Sequence, residues 1–179
     1  MTIDNPFFHP STLPYELPPF AAIREEHYVP AFDAGFAEHL AEIQAIAESS
    51  EPATFENTIV ALERAGELLN RVALVFFAQT SADTTAGLQE MEQDVNPRWA
   101  AHMDAITLDA ALFARIDDLY ERRADLGLSE VELRLLEKRH RDFVLGGAKL
   151  STDDKARLKS LNERLAALSF DGIRLVLVD

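Results

Sequence analysis

The chain has 179 residues and a net charge of −14, because 31 Asp and Glu side chains outnumber 17 Lys and Arg side chains. This excess of negative charge repels phosphate backbones and anionic lipid headgroups, so we expect no nucleic-acid partner and no binding to membranes. The sequence contains no cysteine, which excludes disulfides, thiolate zinc sites and a cysteine nucleophile.

Residues 1–23 are predicted to form an extended arm. Five of the eight prolines of the chain lie in this segment, and proline disfavours helix both at its own position and at the residue before it. The arm is too apolar for a free linker, so we expect it to pack on the body of the protein. The side chains that we expect it to bury are Phe7, Phe8, Leu13, Tyr15, Leu17 and Phe20.

Residues 24–168 show the three-to-four residue spacing of apolar side chains that is typical of amphipathic helices. The first predicted helix begins near Glu26 and ends before Pro52. The second is capped by Thr54 and runs as one helix to about Phe77. The third contains Pro97, and we expect a kink there and not two separate helices.

Three further helices are predicted after Asp109. The fourth ends at Gly127. The fifth opens with a capping box made by Ser129 and Glu132 and ends at the pair Gly146–Gly147. The sixth begins at Ser151 and presents a narrow seam suited to one neighbouring helix. This seam consists of Leu158, Leu161, Leu165 and Leu168. The predicted fold is all-α, with about six helices in an antiparallel array.

Residues 169–179 form a divergent tail with the sequence SFDGIRLVLVD. The pattern predicts a turn followed by a short strand over Ile173–Val178. Because a single strand is not stable without a partner, we expect the tail to be mobile or to pair with another chain.

The five histidines do not form a metal-binding motif. They are His9, His27, His39, His102 and His140. None is followed by Glu with a second His four residues on, as a helical HExxH zinc motif requires. We therefore assign no catalytic, cofactor-binding or metal-binding residue in this chain.

Other clusters of polar residues are also interpreted as structural. The acid pairs Glu25–Glu26, Asp117–Asp118 and Asp153–Asp154 are adjacent in sequence, and on a helix adjacent carboxylates point in different directions. The basic cluster Lys138–Arg141 is expected to form ion pairs with surrounding acids. Gly146–Gly147 follows a helix, so it lacks the N–H groups with which a phosphate loop binds its ligand.

The N-terminal sequence MTIDNPFFHP lacks the basic start and apolar run of a secretory signal. No stretch reaches the roughly 18 apolar residues of a membrane span. We therefore expect a cytoplasmic location.

Long strings in the right order resemble a known family. The sequence is similar to the N-terminal helical region of the thimet-oligopeptidase family of zinc metallopeptidases, most of all to its bacterial peptidyl-dipeptidase branch, with oligopeptidase A as the nearby alternative. The resemblance covers about residues 5–168. The strings that carry it are EEHYVPAFDAGFAEHLAEI, TFENTIVALERAGELLNRVALVFF and LRLLEKRHRDFVLGGAKLS, together with NPFF and LPPF in the arm.

The resemblance implies a two-lobed, largely helical enzyme with a deep channel for short peptides. Peptidyl-dipeptidases of the family remove dipeptides from the C-terminus, with one zinc on an HExxH helix whose Glu is the general base. No residue of this chain matches that helix. The resemblance therefore implies zinc only in a catalytic half that this sequence lacks, and an inactive chain that walls part of the channel.

Two functions are therefore compared, beside a third in which the chain is a self-contained enzyme whose site its motifs do not reveal. In the first, the chain is the non-catalytic N-terminal portion of a zinc peptidase, as a truncated, excised or split product, and its partner is the catalytic half. In the second, it is an independent acidic helical module that binds another protein. In either case the exposed helix faces are expected to favour self-association.

Overall fold

The structure, a computed structural model, describes the backbone of residues 4–176 and the side chains to residue 166, together with Leu168. The described residues contain helices and no strand, so the predicted all-α class is confirmed. Six helices of three turns or more occur in this range, besides the four-residue α2. The helices are α1 (Tyr28–Ala47), α2 (Ala61–Arg64), α3 (Glu67–Ala82), α4 (Ala86–Thr107), α5 (Ala110–Glu121), α6 (Glu130–Leu145) and α7 (Thr152–Val176).

The residues group into two compact units. Residues up to 40 and residues 66–96 form the first unit, and residues 41–65 together with those from 97 onward form the second. Within residues 4–176, every helix is too short or too polar to cross a lipid bilayer.

The first unit is organised by aromatic rings. Tyr28 at the start of α1 lies with its ring centroid 5.3 Å from that of Phe7 and 5.2 Å from that of Phe76 on α3, and Phe32 lies 5.2 Å from Phe76. All four rings are buried. Such edge-on and tilted contacts stabilise a core beyond the apolar area that they bury.

The buried hydroxyl of Tyr28 donates a hydrogen bond to Oε1 of Gln79. Burial, and to a lesser extent the negative charge of Glu25, raises the pKa of Tyr28 to about 12. The hydroxyl therefore remains protonated, and remains a donor, throughout the neutral pH range.

Two hydrogen bonds and one buried ring hold the beginning of the arm in place. Phe7 is buried, Asn5 Nδ2 donates to the carbonyl oxygen of His27 at 2.8 Å, and a guanidinium nitrogen of Arg71 donates to the carbonyl of Phe7 at 2.8 Å. The carbonyl of Phe7 is thus satisfied by α3, and the side-chain amide of Asn5 by the segment preceding α1, as buried polar groups require.

The expectation that the other apolar side chains of the arm are buried is wrong. Five of them are 44–96% exposed, with Tyr15 at the upper limit. The chain here closes on itself: Ser11 Oγ donates to the carbonyl of Leu17 at 2.6 Å, and Tyr15 and Glu16 adopt positive φ. Because local bonds satisfy the turn, its side chains remain in solvent. The five exposed residues are Phe8, Leu13, Tyr15, Leu17 and Phe20.

The predicted second helix is broken in two, which corrects the expectation of one helix from Thr54 to Phe77. A π-helical stretch, Phe55–Val60, leads into α2, and α3 starts afresh at Glu67. Between them, Ala65 is extended and Gly66 has a φ of +78°, which glycine adopts without a steric penalty. Apolar periodicity continues across the break, which is why the pattern did not reveal it.

The second unit has an aliphatic core shared by α5, α6 and the π-helical stretch. Ile59, Leu112, Ile116, Leu119 and Leu136 are fully buried in it. Apolar side chains removed from water at this density supply the main favourable free energy of folding.

Arginines of α5 attach the connection after α1 to this core. The guanidinium of Arg115 donates to the carbonyl oxygens of Ser49 and Glu51 at 3.1 and 2.9 Å and to Asn57 Oδ1 at 3.0 Å. A planar guanidinium with several N–H groups suits this task, because it satisfies three acceptors from one side chain.

The predicted ends of α6 are confirmed. Ser129 Oγ accepts from the Glu132 amide at 3.4 Å, and Glu132 Oε2 accepts from the Ser129 amide at 2.8 Å. At the other end, Gly147 has a φ of +99°, and an added Cβ would lie 2.8 Å from the side chain of Leu158. α6 therefore begins with a capping box and ends at a glycine, as its sequence indicates.

Two expectations about helix course have different outcomes. α4 runs without interruption through Pro97, so a single helix is confirmed, while the kink stays a prediction. The strand expected over Ile173–Val178 is wrong for residues 173–176, because α7 continues to Val176; residues 177–179 lie outside the described residues. Extending a formed helix adds one hydrogen bond per residue, whereas a strand needs a partner.

Substitution of Gly66 tests the break between α2 and α3. An added Cβ would lie 2.8 Å from Cγ and Nδ1 of the His39 ring, in addition to the penalty of the positive φ. We expect Gly66→Ala to lower the free energy of unfolding by about 2 kcal/mol, measured by urea denaturation.

Gly127→Ala is the matched control for this prediction. Gly127 also has a positive φ, +64°, but its Cβ would meet no atom within 4 Å. It therefore isolates the backbone penalty of about 1 kcal/mol. Equal losses in the two variants would show that the contact with His39 is unimportant.

Candidate functional site

The most closely connected group of ionisable and aromatic side chains in the second unit surrounds His140 of α6. Its Nε2 lies 2.8 Å from Oδ1 of Asp117 on α5. Because a carboxylate only accepts hydrogen bonds, Nε2 carries the proton in this contact. Lys149 Nζ lies 3.2 Å from the same carboxylate oxygen. We call these three residues the His140 cluster.

Two aromatic rings stack against the imidazole. The Tyr120 ring stacks on it with centroids 3.8 Å apart and planes 2° from parallel, and the Phe113 ring lies 5.7 Å away at 28°. Arg123 in turn lies over the Tyr120 ring at 4.0 Å. His140 is only 9% exposed, so the ring is fixed by stacking as much as by its hydrogen bond.

The electrostatics of Asp117 reflect two opposing effects. Partial burial raises its pKa, but hydrogen bonds from His140 and Lys149, together with their positive charge, outweigh burial and lower the pKa below the ordinary range of an aspartic acid. The carboxylate is therefore ionised at neutral pH and connects α5, α6 and the residue that follows Gly147–Ala148.

This arrangement resembles the base-and-orienting-acid pair of some hydrolases, but its surroundings differ. A general base needs hydrogen-bond reach to a substrate proton. The imidazole of His140 is buried, stacked against Tyr120 and Phe113, and bonded to a carboxylate. The geometry fits a structural contact between α5 and α6, and not a general base within reach of a substrate.

Sequence analysis placed His140 within a basic cluster but did not find its partner. A signal was available: His140 lies four residues after Leu136 and three before Phe143, both buried, so helical spacing puts it on the core-facing side of α6. On α5, Asp117 likewise lies four residues after the buried Phe113.

The prediction that the basic cluster forms ion pairs is confirmed. Lys138 Nζ lies 2.6 Å from an oxygen of Asp142, and Arg139 pairs with Glu63. The Arg139–Glu63 hydrogen bond raises the pKa of that arginine above its already high value.

The acid pairs serve separate contacts within their own units. Glu25 accepts from the Thr85 hydroxyl at 2.6 Å. Asp118 pairs with Arg122 at 2.9 Å, and Asp154 accepts from the Ser151 hydroxyl at 2.7 Å. Asp117 and Asp118, adjacent in sequence, thus have different partners.

The other histidines also occupy dispersed positions. His9 is exposed, and His27 Nδ1 accepts from the amide of Arg24 at 3.0 Å. His39 lies against Gly66, and His102 is buried. Among the described side chains, which end at residue 166 apart from Leu168, no group of three or more His, Asp and Glu is placed to hold a metal ion. The described residues do not fit a zinc centre, and no hydrolytic step is assigned to them.

The His140 cluster is expected to contribute strongly to stability. His140→Ala removes two stacking contacts and a partly buried hydrogen bond, so we expect the free energy of unfolding to fall by about 2–3 kcal/mol. His140→Phe keeps the stacking and should lose less. His9→Ala, at an exposed position, is the control and should change stability by less than about 0.5 kcal/mol in the same urea titration.

The lowered pKa of Asp117 gives a pH dependence of definite sign. Its folded-state pKa lies below the unfolded value of about 3.9, so its contribution is complete above that value. The contribution is lost as the pH falls through the folded-state pKa. Asp117→Asn should therefore show a shallower loss of stability on acidification below about pH 4 than the unaltered chain.

Asp118→Asn is the control for the acid titration, because it removes the neighbouring surface pair with Arg122 and leaves the Asp117 contacts intact. It should retain the acid dependence of the unaltered chain in denaturant titrations repeated at each pH. Identical pH profiles for all three proteins would contradict a stabilising role for Asp117.

Comparison with known proteins identifies relatives among bacterial peptidases. Dipeptidyl carboxypeptidase of Escherichia coli (strain K12) is 48% identical over 169 residues, which cover 94% of this chain and 25% of that protein. Its counterpart in Salmonella typhimurium is 45% identical over 164 residues. Oligopeptidase A of S. typhimurium is 24% identical over 160 residues.

The chain spans about a quarter of the length of these curated relatives. No protein-family model matches the sequence. The matches nevertheless extend over nearly the whole chain, and identity is about twice as high to the dipeptidyl carboxypeptidases as to oligopeptidase A. The resemblance to the N-terminal region of the thimet-oligopeptidase family, on its peptidyl-dipeptidase branch, is therefore confirmed.

Proposed function

We propose that this chain is the non-catalytic N-terminal portion of a zinc-dependent peptidyl-dipeptidase of the cytoplasm. The observation that carries the proposal is the match of 94% of the chain to only a quarter of dipeptidyl carboxypeptidase. That quarter is represented here by helices whose ionisable groups pair with one another.

The contribution of such a portion is structural. The water-activating metal and the general base of the family belong to its HExxH helix, which has no counterpart in this sequence. What this chain offers is rigid helical surface, held by the His140 cluster and by the arginines of α5. In the complete enzyme these helices wall the substrate channel and restrict entry to short, unfolded peptides.

An independent acidic interaction module is the alternative. Its net charge of −14 and its exposed apolar side chains are compatible with binding a protein partner. The two functions differ in one respect that can be measured: only the first requires that the chain replace the corresponding quarter of a working peptidase.

Replacement in a relative tests the proposal. The matched quarter of the E. coli enzyme is exchanged for this chain, and release of dipeptides from a short peptide with a free C-terminus is followed. We expect the fused protein to be active, because the helices restore the channel wall and the packing surface of the catalytic portion.

The control is the E. coli enzyme with the same quarter deleted and nothing in its place, which should be inactive. A fused protein that folds cooperatively but releases no dipeptide would contradict the proposal. Activity in the deleted control would contradict the need for this quarter.

A further inference from the structure

One face of α7 is apolar and open. Leu161, Leu165 and Leu168 are 49%, 63% and 61% exposed. They follow one another at intervals of four and three residues, so the helical period places them on one side of α7. We call these three residues the leucine face.

The earlier part of the same seam is already in contact with the second unit. Leu158 is partly buried and lies over Gly147. Lys155 Nζ donates to the carbonyl of Leu108 at 3.1 Å, and Asn162 Nδ2 donates to Asp104 Oδ1 at 2.7 Å. The sequence predicts a neighbouring helix along this seam. Within the described part of the chain, only the beginning of the seam has such a neighbour.

Two arginines border the leucine face on one side. Arg157 and Arg164 are seven residues apart, directly before Leu158 and Leu165, which is the flanking position of a seam with this spacing. Both are exposed, and neither has a carboxylate partner among the side chains of residues 4–166. Most basic side chains elsewhere in this acidic chain are paired with acids, as Arg134 is with Glu130 at 2.7 Å.

A second copy of α7 does not complement this surface. In an antiparallel pair of such helices Arg157 and Arg164 would face the same arginines of the other copy. In a parallel pair they would face the positions of Asn162 and Ser169, which carry no charge. The charges therefore favour a different helix, one with carboxylates beside its apolar stripe.

We propose that the leucine face of α7 binds an acid-flanked amphipathic helix from the catalytic portion of the peptidase. This inference rests on the proposed function, since the occupant is taken from the roughly three quarters of the relatives' length that this chain does not match. Three leucines supply the apolar contact, and Arg157 and Arg164 select the acidic flank.

Thiol labelling can measure whether the face is covered, because the chain has no cysteine of its own. Leu165→Cys places a thiol on the leucine face. Glu163→Cys places one on the opposite side of the same helix and is the matched control. Maleimide modification at each position is followed by mass spectrometry, in the chain by itself and in the fused protein.

We expect the thiol of Leu165→Cys to react at least tenfold more slowly in the fused protein than in the chain by itself. The thiol of Glu163→Cys should react at similar rates in both. Reversing the charges with Arg157→Glu and Arg164→Glu should restore fast labelling at position 165, whereas Lys159→Glu, away from the leucine face, should not.

Each contrary result has its own meaning. Fast labelling of Leu165→Cys in an active fused protein overturns the docking inference alone. Fast labelling at both positions in an inactive fused protein overturns it together with the proposed function. Protection of Leu165→Cys in the chain by itself that increases with protein concentration shows a second copy on the face, which overturns the choice of occupant. Unchanged protection after charge reversal overturns the role of the arginines.

Discussion

The packing of the second unit depends on the contacts that α5 makes with its neighbours. Its apolar side, with Leu112, Ile116 and Leu119 fully buried, meets α6 and the π-helical stretch. On its polar side, Arg115 donates to carbonyl oxygens of the connection after α1. Asp117, also on α5, accepts the hydrogen bond of His140. Without α5, that connection would lose its hydrogen-bond donors and His140 its partner.

This arrangement gives the ionisable residues around His140 a structural explanation. His140 is stacked against Tyr120 and Phe113, and its polar contact is an ionised carboxylate that also binds Lys149. A histidine paired with a carboxylate is a combination found in catalytic clefts, but here it holds α5 and α6 in register. A partly buried, satisfied network of this kind fixes one arrangement of the helices.

Helical periodicity was sufficient to predict the all-α class, the capping box of Ser129 and the glycine stop after α6, because each depends on a few neighbouring residues.

The prediction from periodicity failed where the outcome depends on the rest of the molecule. The break at Gly66 arises from a backbone conformation beside the ring of His39. The exposure of Tyr15 arises from a turn that closes on itself. The strand expected in the tail had favourable residue types but no partner, and the helix before it continued instead. The candidate site was missed in part for the same reason: His140 and Asp117, which pair across two helices, are 23 residues apart in sequence.

The central claim is that this chain supplies structure and no chemistry to a peptidase. Its most direct test is bound zinc together with peptide cleavage by the purified chain, assayed on a quenched peptide with a free C-terminus, with and without added zinc. The account predicts no stoichiometric metal and no cleavage above background under either condition. Stoichiometric zinc with cleavage that a chelator abolishes would contradict it, because the histidines and acids of this chain would then form a site of their own.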